Sequence, residues 1–343
     1  LAFLDPPKET TADAVARLHN LGVSVKILTG DNEKVTACIC RKVGLAGEHI
    51  LLGSDLENLN DEQLAAAAER AELIVFPELI IPCYPYGLTF GFTVGSRNED
   101  GRKDWKVYYD NAVVVPDDTI SIAAAAKKAH AYVSIGVTER DPINCSLYCS
   151  NLIFSPEGEL VSLHRKIKPT GAERYIWADS HVPETYFPMV DTEWGRMGSL
   201  ICWENYMPLA RVALYEKGVA LYLAPNTNDN PEWQDTIKHI AIEGHCYVFN
   251  VDQYFTKDMY PSTLLEQEEI SRLKDETCIG GSCIIDPYGH YVTEPVWNKE
   301  AIIYADLDMD KVPMSRMEFD ATGHYSRPDI LEFYINDGDE EFE

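Results

Sequence analysis

The sequence predicts an α/β sandwich. Short apolar runs alternate with helix-patterned stretches, tight turns join other runs into hairpins, and Glu78, Lys166 and Cys202 stand just past the ends of three such runs.

Residues 1–4 read as a strand that Pro6-Pro7 punctuates, and Val15 and Leu18 fall at helical spacing within residues 10–20. Gly22 releases the chain into Val23-Ser24-Val25-Lys26-Ile27-Leu28, a buried strand that ends at Thr29-Gly30-Asp31. A helix over residues 33–43 then stops at Gly44. This βαβα order implies a parallel sheet. An Ala-rich helix over 61–72 leads into Leu73-Ile74-Val75-Phe76-Pro77-Glu78, a strand with an acid at its carboxyl end. A strand follows at 131–137. Pro156-Glu157-Gly158-Glu159 turns 151–155 back onto 160–164 as a hairpin. The strand at 197–201 runs into Cys202, and another lies at 219–224. Helices fit 209–217 and 233–243, and strands at 246–251, 281–285, 290–292 and 301–305 finish the core. Residues 331–343 form an acidic tail.

Composition excludes several partners. The 343 residues carry 56 acidic against 29 basic side chains, a formal charge of -27 that repels nucleic-acid phosphates. No apolar run approaches the roughly 18–20 residues that span a bilayer, and residues 1–6 lack the basic and apolar regions of a secretory signal. We therefore expect neither nucleic-acid nor membrane partners. Nine cysteines are an odd number without disulfide-framework spacing, which places the chain in a reducing cytoplasm. Cys38/Cys40 and Cys145/Cys149 lack the C-x-x-C spacing or matching histidines of a zinc site, so no metal is expected.

Three strand ends carry the chemistry. A thiol attacks poorly until it becomes a thiolate, so Cys202 needs a base or cation close by. Glu78 can take its proton, more readily if burial raises the carboxylate pKa. Lys166 can stabilise negative charge growing on a nitrile nitrogen or amide oxygen, with the Trp203 backbone N–H as a second donor. Taken singly, a Cys at a strand end is ordinarily packing, a Lys in a basic loop is ordinarily solvated, and Glu78 can simply cap a turn. The words around all three outweigh those readings.

Those words are Phe76-Pro77-Glu78, Gly136-Val137-Thr138-Glu139-Arg140-Asp141, His164-Arg165-Lys166 with Pro169-Thr170, and Glu173-Arg174 with Ile176-Trp177. Further on stand Cys202-Trp203-Glu204-Asn205 with Met207-Pro208, Gly280-Gly281-Ser282, Asp286-Pro287-Tyr288-Gly289, and Gly323-His324-Tyr325 with Arg327-Pro328-Asp329. In order and content, residues 71–330 resemble the nitrilase branch of the carbon–nitrogen hydrolase superfamily. The resemblance implies a four-layer α-β-β-α sandwich and a Glu-Lys-Cys triad at Glu78, Lys166 and Cys202, with Glu173 as an additional glutamate. It implies a nitrile substrate converted to carboxylic acid and ammonia through thioimidate and thioester intermediates. It also implies no cofactor, and a homodimer or larger homo-oligomer. The Cys-Trp-Glu-Asn form favours nitrilases over aliphatic amidases. Trp203, Tyr84 and Tyr206 are candidate substrate-binding aromatics, although packing is the more common role for any single one of them. An amidase acting on a carboxamide and a catalytically impaired scaffold are the alternatives.

The front end has different wording. Leu4-Asp5-Pro6-Pro7-Lys8-Glu9 and Val25-Lys26-Ile27-Leu28-Thr29-Gly30-Asp31-Asn32-Glu33 resemble the phosphorylation domain of magnesium-transporting P-type ATPases. That family's Asp-Lys-Thr-Gly-Thr nucleophile motif and its later Gly-Asp-Gly-x-Asn-Asp metal motif do not occur here, so no phosphoryl transfer is expected. We read residues 1–65 as a non-functional fragment fused to a hydrolase domain at 66–330. In that reading residues 23–28 take the place of the hydrolase's own first strand.

Overall fold

A computed structural model describes residues 71–228 and 230–336. The proposed front fragment, its seam and its substituting strand all lie outside those residues.

The first sheet has four strands in sequence order: β1 (Leu73–Val75), β2 (Tyr132–Arg140), β3 (Leu147–Phe154) and β4 (Leu160–Arg165). β1 and β2 run parallel, whereas β2–β3 and β3–β4 are antiparallel. The helices α1 (Glu99–Asp110) and α2 (Ile120–Ala129) fill the connection from β1 to β2, where the sequence reading had no element. α1 is crowded with charge, and Ala126 is the one buried residue of α2, so neither shows a strong apolar stripe. Local chemistry defines them instead. The Asn98 side chain caps α1 by accepting from the Gly101 N–H. α2 carries Lys127 and Lys128 in its last turn and is capped by His130 in the left-handed conformation.

The second sheet runs β11-β10-β8-β7-β6-β5, with β9 paired to β10. Its strands are β5 (Val190–Thr192), β6 (Gly195–Ser199), β7 (Val219–Asn226), β8 (Tyr247–Asp252), β9 (Tyr254–Thr256), β10 (Glu276–Ile285) and β11 (Tyr291–Trp297). β6, β7 and β8 are parallel to one another because the helices α3 (Pro208–Glu216) and α4 (Trp233–Gly244) form the crossovers. Every residue of β7 is buried, as a central strand covered on both faces requires. The expected strand at 301–305 is absent: those residues join no ladder among the described residues, and Ala301 and Ile303 instead line a cavity.

Packing gives the layers. Ile153 of the first sheet meets Met197, Leu221, Leu223, Tyr247 and Phe249 of the second in one apolar cluster between the sheets. α2 covers the outer face of the first sheet through Ala126, against Val133, Ile135, Leu152 and Phe154. α3 and α4 cover the second through Leu214, Ile237 and Ile240. The result is the α-β-β-α sandwich. One polar tie crosses its middle, where Asn151 Nδ2 of β3 donates to Ser199 Oγ of β6 at 3.1 Å.

Candidate active site

The site forms where the carboxyl ends of β1 and β4 face the end of β6. Glu78 follows β1, and Gly136 of β2 explains how it fits: a Cβ there would lie 2.4 Å from Pro77 O and Leu79 N, and 2.7 Å from Glu78 Cα. The Gly in the Gly136-Val137-Thr138 run thus allows the two backbones to touch. The Glu78 carbonyl accepts from Gln253 Nε2, which ties it to the second sheet.

Lys166 is the hub. Its backbone N–H donates to Cys149 O at 2.8 Å, which extends the β3–β4 ladder by one residue. Its Nζ donates to Glu78 Oε1 at 2.8 Å and to Glu173 Oε2 at 2.9 Å, with all three residues buried. Glu173 sits in the 3₁₀ turn Gly171–Tyr175, where Oε2 also accepts from the Thr170 N–H at 2.6 Å and Oε1 from the Tyr84 hydroxyl at 2.8 Å. The Pro-Thr-x-x-Glu spacing is therefore a capping box turned toward a lysine. On Glu78, Oε1 takes a second donor, the Cys149 thiol at 3.4 Å, while Oε2 is buried with no hydrogen-bond partner among the described residues.

Cys202 opens the 3₁₀ turn Cys202–Tyr206 directly after β6 and has φ = +51°, a conformation that costs a non-glycine residue about 1–3 kcal/mol. Its two motif neighbours hold it there. Asn205 Nδ2 donates to Leu200 O at 3.0 Å and to Cys202 O at 2.8 Å, and Asn205 Oδ1 accepts from the Tyr222 hydroxyl. The buried Glu204 carboxylate accepts from the Ile201 N–H at 2.6 Å, the Ile167 N–H at 2.5 Å and His164 Nε2 at 2.9 Å. One carboxylate thus grips the residue before the thiol and the residue after Lys166. Glu204 and Asn205 entered the sequence reading only as letters of a motif; their burial beside a turn is what reveals their work.

Burial governs the electrostatics. It raises the Glu78 pKa to about 7 against the pull of Lys166, and Glu173 adds to the rise. Burial, then Glu78, holds the Cys202 thiol well above its ordinary range, with Lys166 opposing. At rest Cys202 is therefore a neutral thiol, which becomes a thiolate only where a base takes its proton. Burial works against the charge of Lys166, but Glu78, then Cys202 and Glu173, keep it an ammonium well above its usual value.

A cavity of about 430 Å³ lies alongside, with Pro77, Cys83, Tyr84, Asp252, Tyr260 and Lys299 among its walls. Tyr84 is thus shared between cavity and charge cluster. Trp203 and Tyr206 are not among those walls: they pack on each other, Tyr206 meets the edge of Trp233, and both are exposed.

An α-β-β-α sandwich that buries a carboxylate, an ammonium and a thiol between its sheets defines a class of hydrolase, and the comparisons agree. The chain belongs to the carbon–nitrogen hydrolase family, whose model matches residues 15–316. Among its relatives, an aliphatic nitrilase of Sinorhizobium fredii (strain HH103) is 43% identical over 279 residues, 79% of this chain and 87% of that protein. Nitrilase 2 of Arabidopsis thaliana is 39% identical over 290 residues, 82% of this chain and 84% of that one. The crystal structure of a carbon–nitrogen hydrolase from Helicobacter pylori G27 shares the fold, with a TM-score of 0.60 at 19% identity over 78% of this chain and 90% of that chain. The family match begins inside the segment worded like an ATPase domain, and these comparisons lend the ATPase resemblance no support.

Proposed function

We propose that this protein is a nitrilase in which Cys202 is the nucleophile, Glu78 the general base, Lys166 the electrostatic stabiliser and Glu173 its anchor. The observation that carries the reading is the Lys166 ammonium bridging two buried carboxylates, one of which keeps an oxygen without a hydrogen-bond partner among the described residues and has its pKa raised to about 7. Glu78 Oε2 takes the Cys202 proton as sulfur attacks the nitrile carbon and passes it to the nitrogen, so that a neutral thioimidate forms and the carboxylate is restored. Lys166 offsets the charge that develops on nitrogen. Water adds to the thioimidate carbon and ammonia leaves, giving a thioester. A second water, with Glu78 again as base, releases the carboxylic acid and restores the thiol. The names of the relatives support a nitrile over an amide substrate. Tyr84 and the adjoining cavity would hold the body of the substrate.

Ammonia release from a panel of aliphatic, aromatic and arylacetic nitriles tests this. Wild type should release ammonia and acid, and Cys202→Ala should release none while melting like wild type. Ammonia from an amide but not from its nitrile would replace the reading with an amidase; a folded wild type inactive on both would make it an impaired scaffold. We also propose a homo-oligomer in a reducing cytoplasm, on the family resemblance and on the free state of the seven described cysteines.

A further inference from the structure

We propose that Cys149 is a positioning residue of this site: with Lys166 its thiol occupies one oxygen of Glu78, and so reserves the other for the proton of Cys202. The inference rests on the reading of Glu78 as base. Cys149 lies in β3, paired across to Thr138 of β2, and its carbonyl receives the Lys166 N–H. Its Sγ donates to Glu78 Oε1. One residue therefore fixes the main chain of the stabiliser and the side chain of the base. With two donors on Oε1 and none on Oε2 among the described residues, the carboxylate cannot turn over without breaking both bonds. Cys149 is 1% exposed; burial, then Glu78, pushes its thiol well above the ordinary range, so it stays a donor and does not compete as a nucleophile.

The other groups that act on Glu78 come from several elements. Lys166 follows β4, Glu173 stands in the 3₁₀ turn, Cys202 follows β6 and Asp252 ends β8. Tyr84 lies in the loop after β1, and Tyr108 is in α1. Among them only Lys166 and Cys149 donate hydrogen bonds to its carboxylate among the described residues. Lys166 carries the reaction's charge, which leaves the thiol as the part whose removal tests orientation alone.

The test is the pH dependence of kcat/KM on a nitrile that wild type hydrolyses, in full-length Cys149→Ala and Cys149→Ser. Wild type should gain activity as pH rises through about 7, where Glu78 ionises. Cys149→Ala removes a donor to the ionised form, so its acid limb should move up by about half a pH unit, with kcat reduced about three- to tenfold. Cys149→Ser offers a stronger donor, and its limb should lie below that of wild type. An Ala limb coincident with wild type overturns the proposal; if Cys149→Ala does not fold, an unmoved Ser limb overturns it equally. The base assignment fails by a different result, either a wild-type profile without an acid limb or a Glu78→Gln variant that keeps its activity.

Discussion

Replacing Glu204 with Gln keeps the volume of a fully buried side chain and changes only which atoms can accept. The carboxylate receives three donors: the Ile201 N–H and His164 Nε2 on Oε2, and the Ile167 N–H on Oε1. An amide has one oxygen. If that oxygen takes the Oε2 position, the NH₂ points at the Ile167 N–H; if it takes the other, the NH₂ points at Ile201 and His164. Either way a buried donor faces a donor, at about 1–3 kcal/mol, and His164 loses its counter-charge. Breaking a buried pair of this kind costs about 3–5 kcal/mol, so we expect Glu204→Gln to lose about that much stability, read from the urea midpoint. The loss should depend on pH. Burial lowers the His164 pKa, but Glu204 outweighs it and the folded value is raised. The proton on His164 therefore adds stability that is full below the ordinary histidine range and fades as pH rises through the folded value. The gap between wild type and variant should accordingly narrow toward alkaline pH. kcat should fall at least tenfold, because the same carboxylate sets the chain beside Cys202 and beside Lys166. A variant within about 0.5 kcal/mol of wild type, the usual range for a surface change, would refute the clamp.

Other perturbations separate the parts of the site. Gly136→Ala puts a methyl 2.4 Å from backbone atoms flanking Glu78, and should abolish ammonia release while leaving a folded protein by circular dichroism. Tyr84→Phe removes one hydrogen bond to the Glu173 carboxylate; kcat should fall about tenfold to a hundredfold in steady-state assays on one nitrile. Asn205→Ala leaves the Leu200 and Cys202 carbonyls and the Tyr222 hydroxyl without that partner, and should lower both the melting temperature and kcat.

The sandwich was legible because its central strands are apolar runs at correct spacing and its hairpin turn is unmistakable. The helices α1 and α2 were not, since one presents charge and the other alanine where a pattern needs large apolar residues. Residues 301–305 form a short continuous apolar run like that of a buried strand, but pattern alone does not supply a pairing partner. At the site, Glu78, Lys166 and Cys202 could be named from strand ends and motif words, and the structure places all three at the ends of β1, β4 and β6. Cys149 and Glu204 could not, because a thiol inside an apolar strand and an acid after a tryptophan look ordinary until burial and partners are known. The aromatics divided likewise: Tyr84 lines the cavity, whereas Trp203 and Tyr206, adjacent in sequence to the thiol, do not.

The unequal exposure of the cysteines decides what thiol chemistry can report about this enzyme. Cys202 is 4% exposed and shielded by its own turn, whereas Cys83 and Cys145 are open to solvent. A bulky alkylating reagent will therefore reach Cys83 and Cys145 before Cys202, and Cys83 lines the cavity beside the site. Inactivation by such a reagent therefore does not by itself assign a role to Cys202. A small reagent used on a background with Cys38, Cys40, Cys83 and Cys145 replaced by Ser, with nitrile protecting against it, is the combination that addresses Cys202 itself.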